Sequence, residues 1–227
     1  MGQYLDSRVP LESYRGIVNT RFFVDKTLLL EDVLKAVEID GQRYLCITRP
    51  RRFGKSVMAN MVAAFLGRAE EAGDIFGRLE IAQSEWYDTH LNQYPVIYID
   101  FSEVPENCVS YHAYISRILD SLKRDLLEEF SEIVTDAGIS VWDLLTNIFQ
   151  KTGKKFIFVI DEWDAVFHMS FITKEDQKAY LLFLKALLKD KAYVKFAYMT
   201  GILPIAKYSS GSELNMFVEY DMTVMER

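Results

Sequence analysis

Arg49-Pro50-Arg51-Arg52-Phe53-Gly54-Lys55-Ser56 is the stretch that decides the fold, and Phe156-Ile157-Phe158-Val159-Ile160-Asp161-Glu162 completes it far downstream. Gly54-Lys55-Ser56 matches the end of the pattern G-x-x-x-x-G-K-[ST], whose backbone N–H groups wrap phosphates at a helix N-terminus. In that reading the amides of Arg51, Arg52, Phe53, Gly54, Lys55, Ser56 and Val57 face the phosphates. Lys55 reaches the β- and γ-phosphates, the Ser56 hydroxyl ligates Mg²⁺, and Gly54 lets the backbone come close without a Cβ. Arg49 stands where the pattern has its first glycine. Pro50 removes one N–H donor and holds Arg49 to extended geometry, so the loop is expected to enter differently from the common form. A Gly-Lys-Ser triplet alone is a common turn. Here an apolar strand pattern precedes it and a strongly apolar helical stretch follows, which is the context the motif needs.

Arg51 and Arg52 add charge where a triphosphate would sit. Two readings stand side by side: one of them, Arg52 in particular, touches the γ-phosphate as an arginine finger from the same chain, or both pair with acidic side chains on a neighbouring loop.

Five apolar residues ending in Asp161-Glu162 read as a buried parallel strand that carries two carboxylates to the C-terminal edge of a sheet, where open α/β folds bind ligands. Asp161 is expected to hold Mg²⁺ through water and Glu162 to polarise the attacking water. Adjacent residues on an extended chain point to opposite sides, so one would face the metal and the other the γ-phosphate. Asp164 either caps the following helix, the safer expectation, or reaches into the site. Asp100 ends another strand and reads as a metal or water contact, or as a turn residue. Thr200, followed by Gly201, is placed to sense the γ-phosphate, though Thr-Gly is also an ordinary strand exit. His90, His112 and His168 have no partner at metal-ligand spacing. Trp86, Trp142 and Trp163 read as packing residues.

Outward from these motifs, residues 1–24 look like an entry arm, with Arg21-Phe22-Phe23-Val24 as a short strand. Helical spacing covers Leu28 to Val37, an apolar run Arg43 to Thr48, and a helix apolar on nearly all sides Val57 to Leu66. Residues 68–92 are polar and helix-prone. Strands are expected at Pro95–Phe101, Lys155–Ile160, Val194–Thr200 and Met216–Met222, with helices over 110–130, 140–151 and 175–190. Strands alternating with helices predict an α/β fold, the three-layer α/β/α P-loop NTPase type, with a mostly parallel sheet of about five strands.

At 227 residues the chain is long enough to bury a large core, and half of it is hydrophobic, which excludes a disordered protein. A net charge of −7 gives no global electrostatic case for nucleic acid. Two cysteines are too few for a disulfide framework or zinc cluster, and a reduced cytoplasmic setting is expected. The first residues lack the layout of a secretory signal and of a myristoylation site, and no apolar run is long enough for a membrane.

Phe23-Val24-Asp25-Lys26-Thr27, Thr48 to Ser56, Val159-Ile160-Asp161-Glu162-Trp163-Asp164, Met199-Thr200-Gly201-Ile202, Ser210-Gly211-Ser212-Glu213-Leu214-Asn215 and Glu219-Tyr220-Asp221-Met222 occur in that order. In them the chain resembles the AAA-ATPase-like family of bacterial and archaeal proteins often fused to a PD-(D/E)XK nuclease-like domain. The family is similar in tolerating Arg-Pro at the loop entry; Trp163 stands where it more often has Tyr. The resemblance implies an additional-strand ATPase core, with the strand Pro95 to Phe101 inserted between the loop strand and the acidic strand. It implies one ATPase domain over residues 1–227, with 1–40 as arm and helix, and the family's helical lid and nuclease-like part outside this chain. No residues matching the nuclease motif are present, so that activity is not carried over. ATP and Mg²⁺ are the implied ligands; an effector domain or protein partner and a homo-oligomer are the implied associations. Two functions remain open at this point: a Mg²⁺-dependent ATPase acting as switch or motor for an effector, and a nucleotide-binding scaffold with little turnover. A small-molecule phosphotransferase is weaker, because the sequence shows no acceptor pocket.

Overall fold

The computed structural model describes residues 2–106, 108–133, 138–208 and 213–221. Its helices are α1 (Val9–Val18), α2 (Leu29–Glu38), α3 (Lys55–Leu66), the single turns α4 (Gly73–Phe76) and α5 (Tyr87–His90), α6 (Tyr111–Glu129), α7 (Val141–Thr152) and α8 (Lys174–Leu188). Its strands are β1 (Tyr44–Thr48), β2 (Val96–Asp100), β3 (Phe156–Asp161), β4 (Val194–Gly201) and β5 (Val218–Tyr220). All pair in parallel, in the order β2-β3-β4-β1-β5. Parallel strands need crossovers, and helices fill them, so both faces of the sheet are covered.

The alternation along β3 shows how. All six of its residues are buried. Phe156, Phe158 and Ile160 pack with Leu122 and Leu126 of α6, Leu144 and Ile148 of α7, and Leu184 and Leu187 of α8. Ile157 and Val159 pack with Tyr14 of α1, Val33 and Leu34 of α2, and Ala59, Val62 and Phe65 of α3. The period of two therefore hands alternate side chains to two helical layers, giving the α/β/α sandwich. The same parity places the polar strand ends. Tyr98 and Val96 of β2, Val159 of β3, and Tyr198 and Phe196 of β4 face the α3 layer. Two residues after each of these runs come Asp100, Asp161 and Thr200, on the same face as the helix that follows the phosphate loop.

Four expectations change. Arg21–Val24 is turn and irregular chain rather than strand, and the arm before it contains α1. The arm's contact with the sheet comes earlier: Leu5 bridges Ile97 antiparallel, so residues 4–6 cover the outer edge of β2. Residues 68–92 form only single turns of helix, α4 and α5, with a 3-10 turn at Glu80–Gln83 between them. The strand Pro95–Phe101 lies between the loop strand and the acidic strand in the chain but not in the sheet. It is β2, at the edge, and β4 fills the place between β1 and β3. Of the expected fifth strand, Val218–Tyr220 is present; Met222, like Ser210, Gly211 and Ser212, lies outside the described residues. Among the described residues no helix is long and apolar enough to cross a membrane.

Candidate functional site

The loop between β1 and α3 starts where the Arg49 amide donates to the Gly201 carbonyl at 3.0 Å, tying the loop entry to the end of β4. It then bends through two left-handed positions, Arg52 (φ 69°) and Gly54 (φ 76°). Glycine takes this geometry freely; arginine does so at a cost that a local constraint must offset. Gly54 is the N-cap of α3 and supplies no side-chain oxygen to satisfy the first amides. The first of them with a backbone partner is Met58, which donates to the Gly54 carbonyl at 3.0 Å. A helix end left uncapped in this way, preceded by left-handed backbone, presents N–H groups and partial positive charge to an anion.

Lys55 is buried, with 3% of its side chain exposed, and its Nζ lies 3.3 Å from Glu162 Oε1. The loop and the acidic strand, distant in sequence, thus meet in one ion pair. Glu162 is not extended as its neighbours are: at φ 49° and ψ 46° the chain turns left-handed. The expectation that Asp161 and Glu162 point to opposite sides of an extended strand is therefore corrected. The strand ends at Asp161, and the turn at Glu162 swings its carboxylate toward Lys55.

Asp161 is wholly buried. Its Oδ1 accepts from the Thr200 hydroxyl and from the Glu162 amide at 3.0 Å, and Thr200 Oγ1 accepts from the same amide at 3.3 Å. Asp161 Oδ2 is buried without a hydrogen-bond partner. A buried carboxylate oxygen left unpaired is costly and fits a cation ligand. Among the described residues there is no group of three or more His, Cys, Asp or Glu able to hold a metal by itself. A hard divalent ion here would rely on Asp161, the Ser56 hydroxyl and oxygens of a bound phosphate, as Mg²⁺ does at triphosphate sites.

Asp100 pairs in register with Asp161 across β2 and β3. Its carboxylate accepts from the Ser102 amide at 2.8 Å, so it makes a turn. Burial holds its carboxyl above the usual aspartate range, with the Ser102 bonds opposing and the Asp161 charge adding to the rise. Asp164 is 1% exposed and does not cap its own 3-10 turn, Trp163–His168. Its oxygens instead accept from the amides of Ile202 and Leu203, each at 3.1 Å, across the top of β4.

A cleft of about 620 Å³ runs between these segments, lined on one side by Arg51, Arg52, Gly54, Lys55, Ser56 and Val57, and on the other by Glu162, Asp164 and His168. Of the sequence-predicted residues, these are brought together. Phe53 is half-exposed and outside the lining, while Asp161 and Thr200 lie wholly buried behind it. Arg51 and Arg52 line the cleft and make no ion pair among the described residues. His168 in the wall, with Nε2 3.1 Å from the Tyr208 hydroxyl, was not expected from sequence. A lone histidine in an apolar-polar mixture carries no spacing signal. His90 is a core residue beside Trp86 and Tyr94.

A phosphate loop on β1, an acidic strand one position removed across β4, and helices on both faces define a P-loop nucleotide-binding fold. The chain belongs to the family described as "Predicted AAA-ATPase", whose model matches residues 8–210. No curated protein matches it. Among solved structures it is similar to the Aeropyrum pernix ORC1 protein in complex with DNA, at 12% identity and TM-score 0.48 over 91% of this chain and 48% of that one. Drosophila ORC bound to poly(dA/dT) DNA and Cdc6 matches at 9% identity and TM-score 0.42, over 96% of this chain and 30% of that one. The Aeropyrum pernix ORC2 protein in ADPNP–ADP complexes matches at 11% identity and TM-score 0.39, over 97% and 49%. The chain spans about half the length of these proteins or less.

Proposed function

We propose that this chain binds ATP with Mg²⁺ in the cleft and hydrolyses it, serving as a switch for an effector domain or protein partner. The observation that carries this is the meeting of Lys55 and Glu162 at 3.3 Å. A lysine for the terminal phosphates and a carboxylate for the attacking water are held together by a loop and a strand from different parts of the chain.

In this reading the α3 amides and Gly54 cradle the phosphates. Lys55 leaves Glu162 for the β- and γ-phosphate oxygens, which frees the Glu162 carboxylate to orient a water and take its proton. Ser56 and Asp161 would hold a Mg²⁺, which when bound would neutralise charge on the phosphate oxygens. Thr200 fixes the Asp161 carboxylate and the Glu162 amide together, so it acts by position rather than by contact. Arg51 and Arg52, which make no ion pair among the described residues, add charge stabilisation at the γ-phosphate from within the chain. The net charge of −7 favours a protein partner over nucleic acid.

The test is calorimetry of the chain with ATP and Mg²⁺, phosphate release being followed in the same samples. Lys55→Ala is expected to lose binding by more than 100-fold. Glu162→Gln is expected to keep binding and lose turnover by roughly 100- to 1,000-fold, the range of a positioned base. Turnover unchanged in Glu162→Gln would remove Glu162 from the chemistry. Binding without release in the parent chain would favour the nucleotide-binding scaffold instead.

A further inference from the structure

Thr200 and Asp164 tie the same two segments together from opposite ends. The Thr200 hydroxyl, at the end of β4, donates to Asp161 at the end of β3 and accepts from the Glu162 amide. Two to three residues further along, a second tie runs in the same direction: the Asp164 carboxylate, beyond β3, accepts from the Ile202 and Leu203 amides, beyond β4. Glu162, in its left-handed turn, sits between the two ties.

Asp164 is 1% exposed yet lines the cleft, and it has no ion pair among the described residues. Burying a carboxylate on amide donors alone is expensive, and beside a site for phosphate anions its charge is a further liability. Its two oxygens take the two amides in charge-assisted bonds, a firmer hold than the single neutral oxygen of an asparagine would give. Gly201, between Thr200 and Ile202, shows how closely the segments approach: a Cβ there would lie 2.3 Å from Trp163 Nε1 and 2.9 Å from Asp164 Oδ1.

We propose that Asp164 is a positioning residue for γ-phosphate recognition: through the Ile202 and Leu203 amides it fixes the β4 exit against the acidic strand, and so sets how Thr200, buried behind the cleft, holds Glu162 within it. The loop before α3 meets this region only at its entry, where the Arg49 amide donates to the Gly201 carbonyl, and its amides and left-handed turns lie outside these bonds. The inference rests on the ATP-binding reading above and names the residue that lets the site tell ATP from ADP. Losing Asp164 should therefore weaken what depends on the third phosphate and spare what depends on the first two.

The deciding experiment compares the parent with Asp164→Asn and Asp164→Ala, measuring affinity for ADP and for a non-hydrolysable ATP analogue with Mg²⁺, and the melting temperature of each. Asp164→Asn keeps one acceptor oxygen and nearly the same volume, so it should fold. Expected is a fall of about 10-fold in the preference for the triphosphate, with ADP affinity within twofold of the parent. Where turnover is measurable, KM for ATP should rise with the lost triphosphate affinity and kcat should fall as Glu162 loses its position. Parent-like discrimination in Asp164→Asn overturns the inference. So does an equal loss of both nucleotides accompanied by a lower melting temperature, the pattern of a purely structural bond. If the parent itself binds no nucleotide, the ATP-binding reading fails first and takes this one with it; if the parent binds and the variant discriminates normally, only this one fails.

Discussion

The loop wall of the cleft carries Arg51, Arg52 and Gly54 in the open, whereas the acidic side keeps Asp161, Asp164 and Thr200 almost wholly buried. Arg51 and Arg52 make no ion pair among the described residues, and the loop bends through two left-handed positions at Arg52 and Gly54. On the acidic wall hydroxyl is paired to carboxylate and amide to carboxylate, while Asp161 Oδ2 and Trp163 Nε1 are buried without a hydrogen-bond partner among the described residues. Lys55 and Glu162 join the two walls. The loop wall supplies charge that reorganises around a ligand, and the acidic wall supplies geometry fixed beforehand, where reorganisation at the moment of reaction is avoided. Damage to the acidic wall should therefore appear in stability and chemistry together. Damage to the loop should appear in binding alone.

The largest effect is expected from Gly201→Ala. The added Cβ would sit 2.3–2.4 Å from the Trp163 ring, which is itself fully buried. Neither a buried indole nor the Asp164 carboxylate can retreat without breaking the acidic wall. Overpacking of this kind costs roughly 1–3 kcal/mol, a fall of roughly 3–10 °C in melting temperature for a domain of this size. Thermal unfolding checks it, and an unchanged melting temperature would show that the wall is softer than its hydrogen bonds suggest.

A smaller effect, and the opposite signature, is expected from Arg51→Ala with Arg52→Ala. Both side chains are exposed and have no ion pair among the described residues. Removing them should leave the melting temperature within about 1 °C. Triphosphate affinity should fall by roughly 10-fold, consistent with exposed charges acting on a polyanion, and the loss should shrink as salt rises. Titrations at two ionic strengths separate this from a structural defect. A large fall in stability would erase the contrast between the walls.

Much of this contrast was legible before the structure. The order of apolar runs and helical periods gave the α/β sandwich, and Gly54-Lys55-Ser56 with Asp161-Glu162 named both walls. What stayed hidden was set by long-range geometry. The place of β4 between β1 and β3 depends on crossover connections that periodicity does not encode. The turn at Glu162 breaks an alternation that holds through all of β3, and nothing in Asp-Glu-Trp-Asp announces a left-handed residue. Asp164 resembles a local cap, yet its partners lie 38 and 39 residues away. Helix α1 was lost because its run opens with Val9-Pro10, where proline suits the first turn but reads as a breaker when no N-cap side chain precedes it.

The smallest expected effect tests the rim of the acidic wall. Asp100 stands beside Asp161 at the strand ends, and burial raises its carboxyl above the ordinary range. A raised carboxyl means that the folded state holds the proton more tightly than the unfolded chain. The protein is then at its best with respect to this group below the unfolded value, about 3.9, and loses stability as pH climbs through the folded value. Asp100→Asn retains an oxygen for the Ser102 amide and removes the charge. It should raise the melting temperature by about 1–2 °C at neutral pH, and the gain should fade as pH falls through the raised folded value and vanish below the unfolded one, where both states carry the proton. Melting curves across pH read this directly. A gain that persists unchanged in acid would trace to packing, and a loss at neutral pH would mean that the Asp100 charge supports the wall, making the acidic pair Asp100–Asp161 part of the cation site rather than its neighbour.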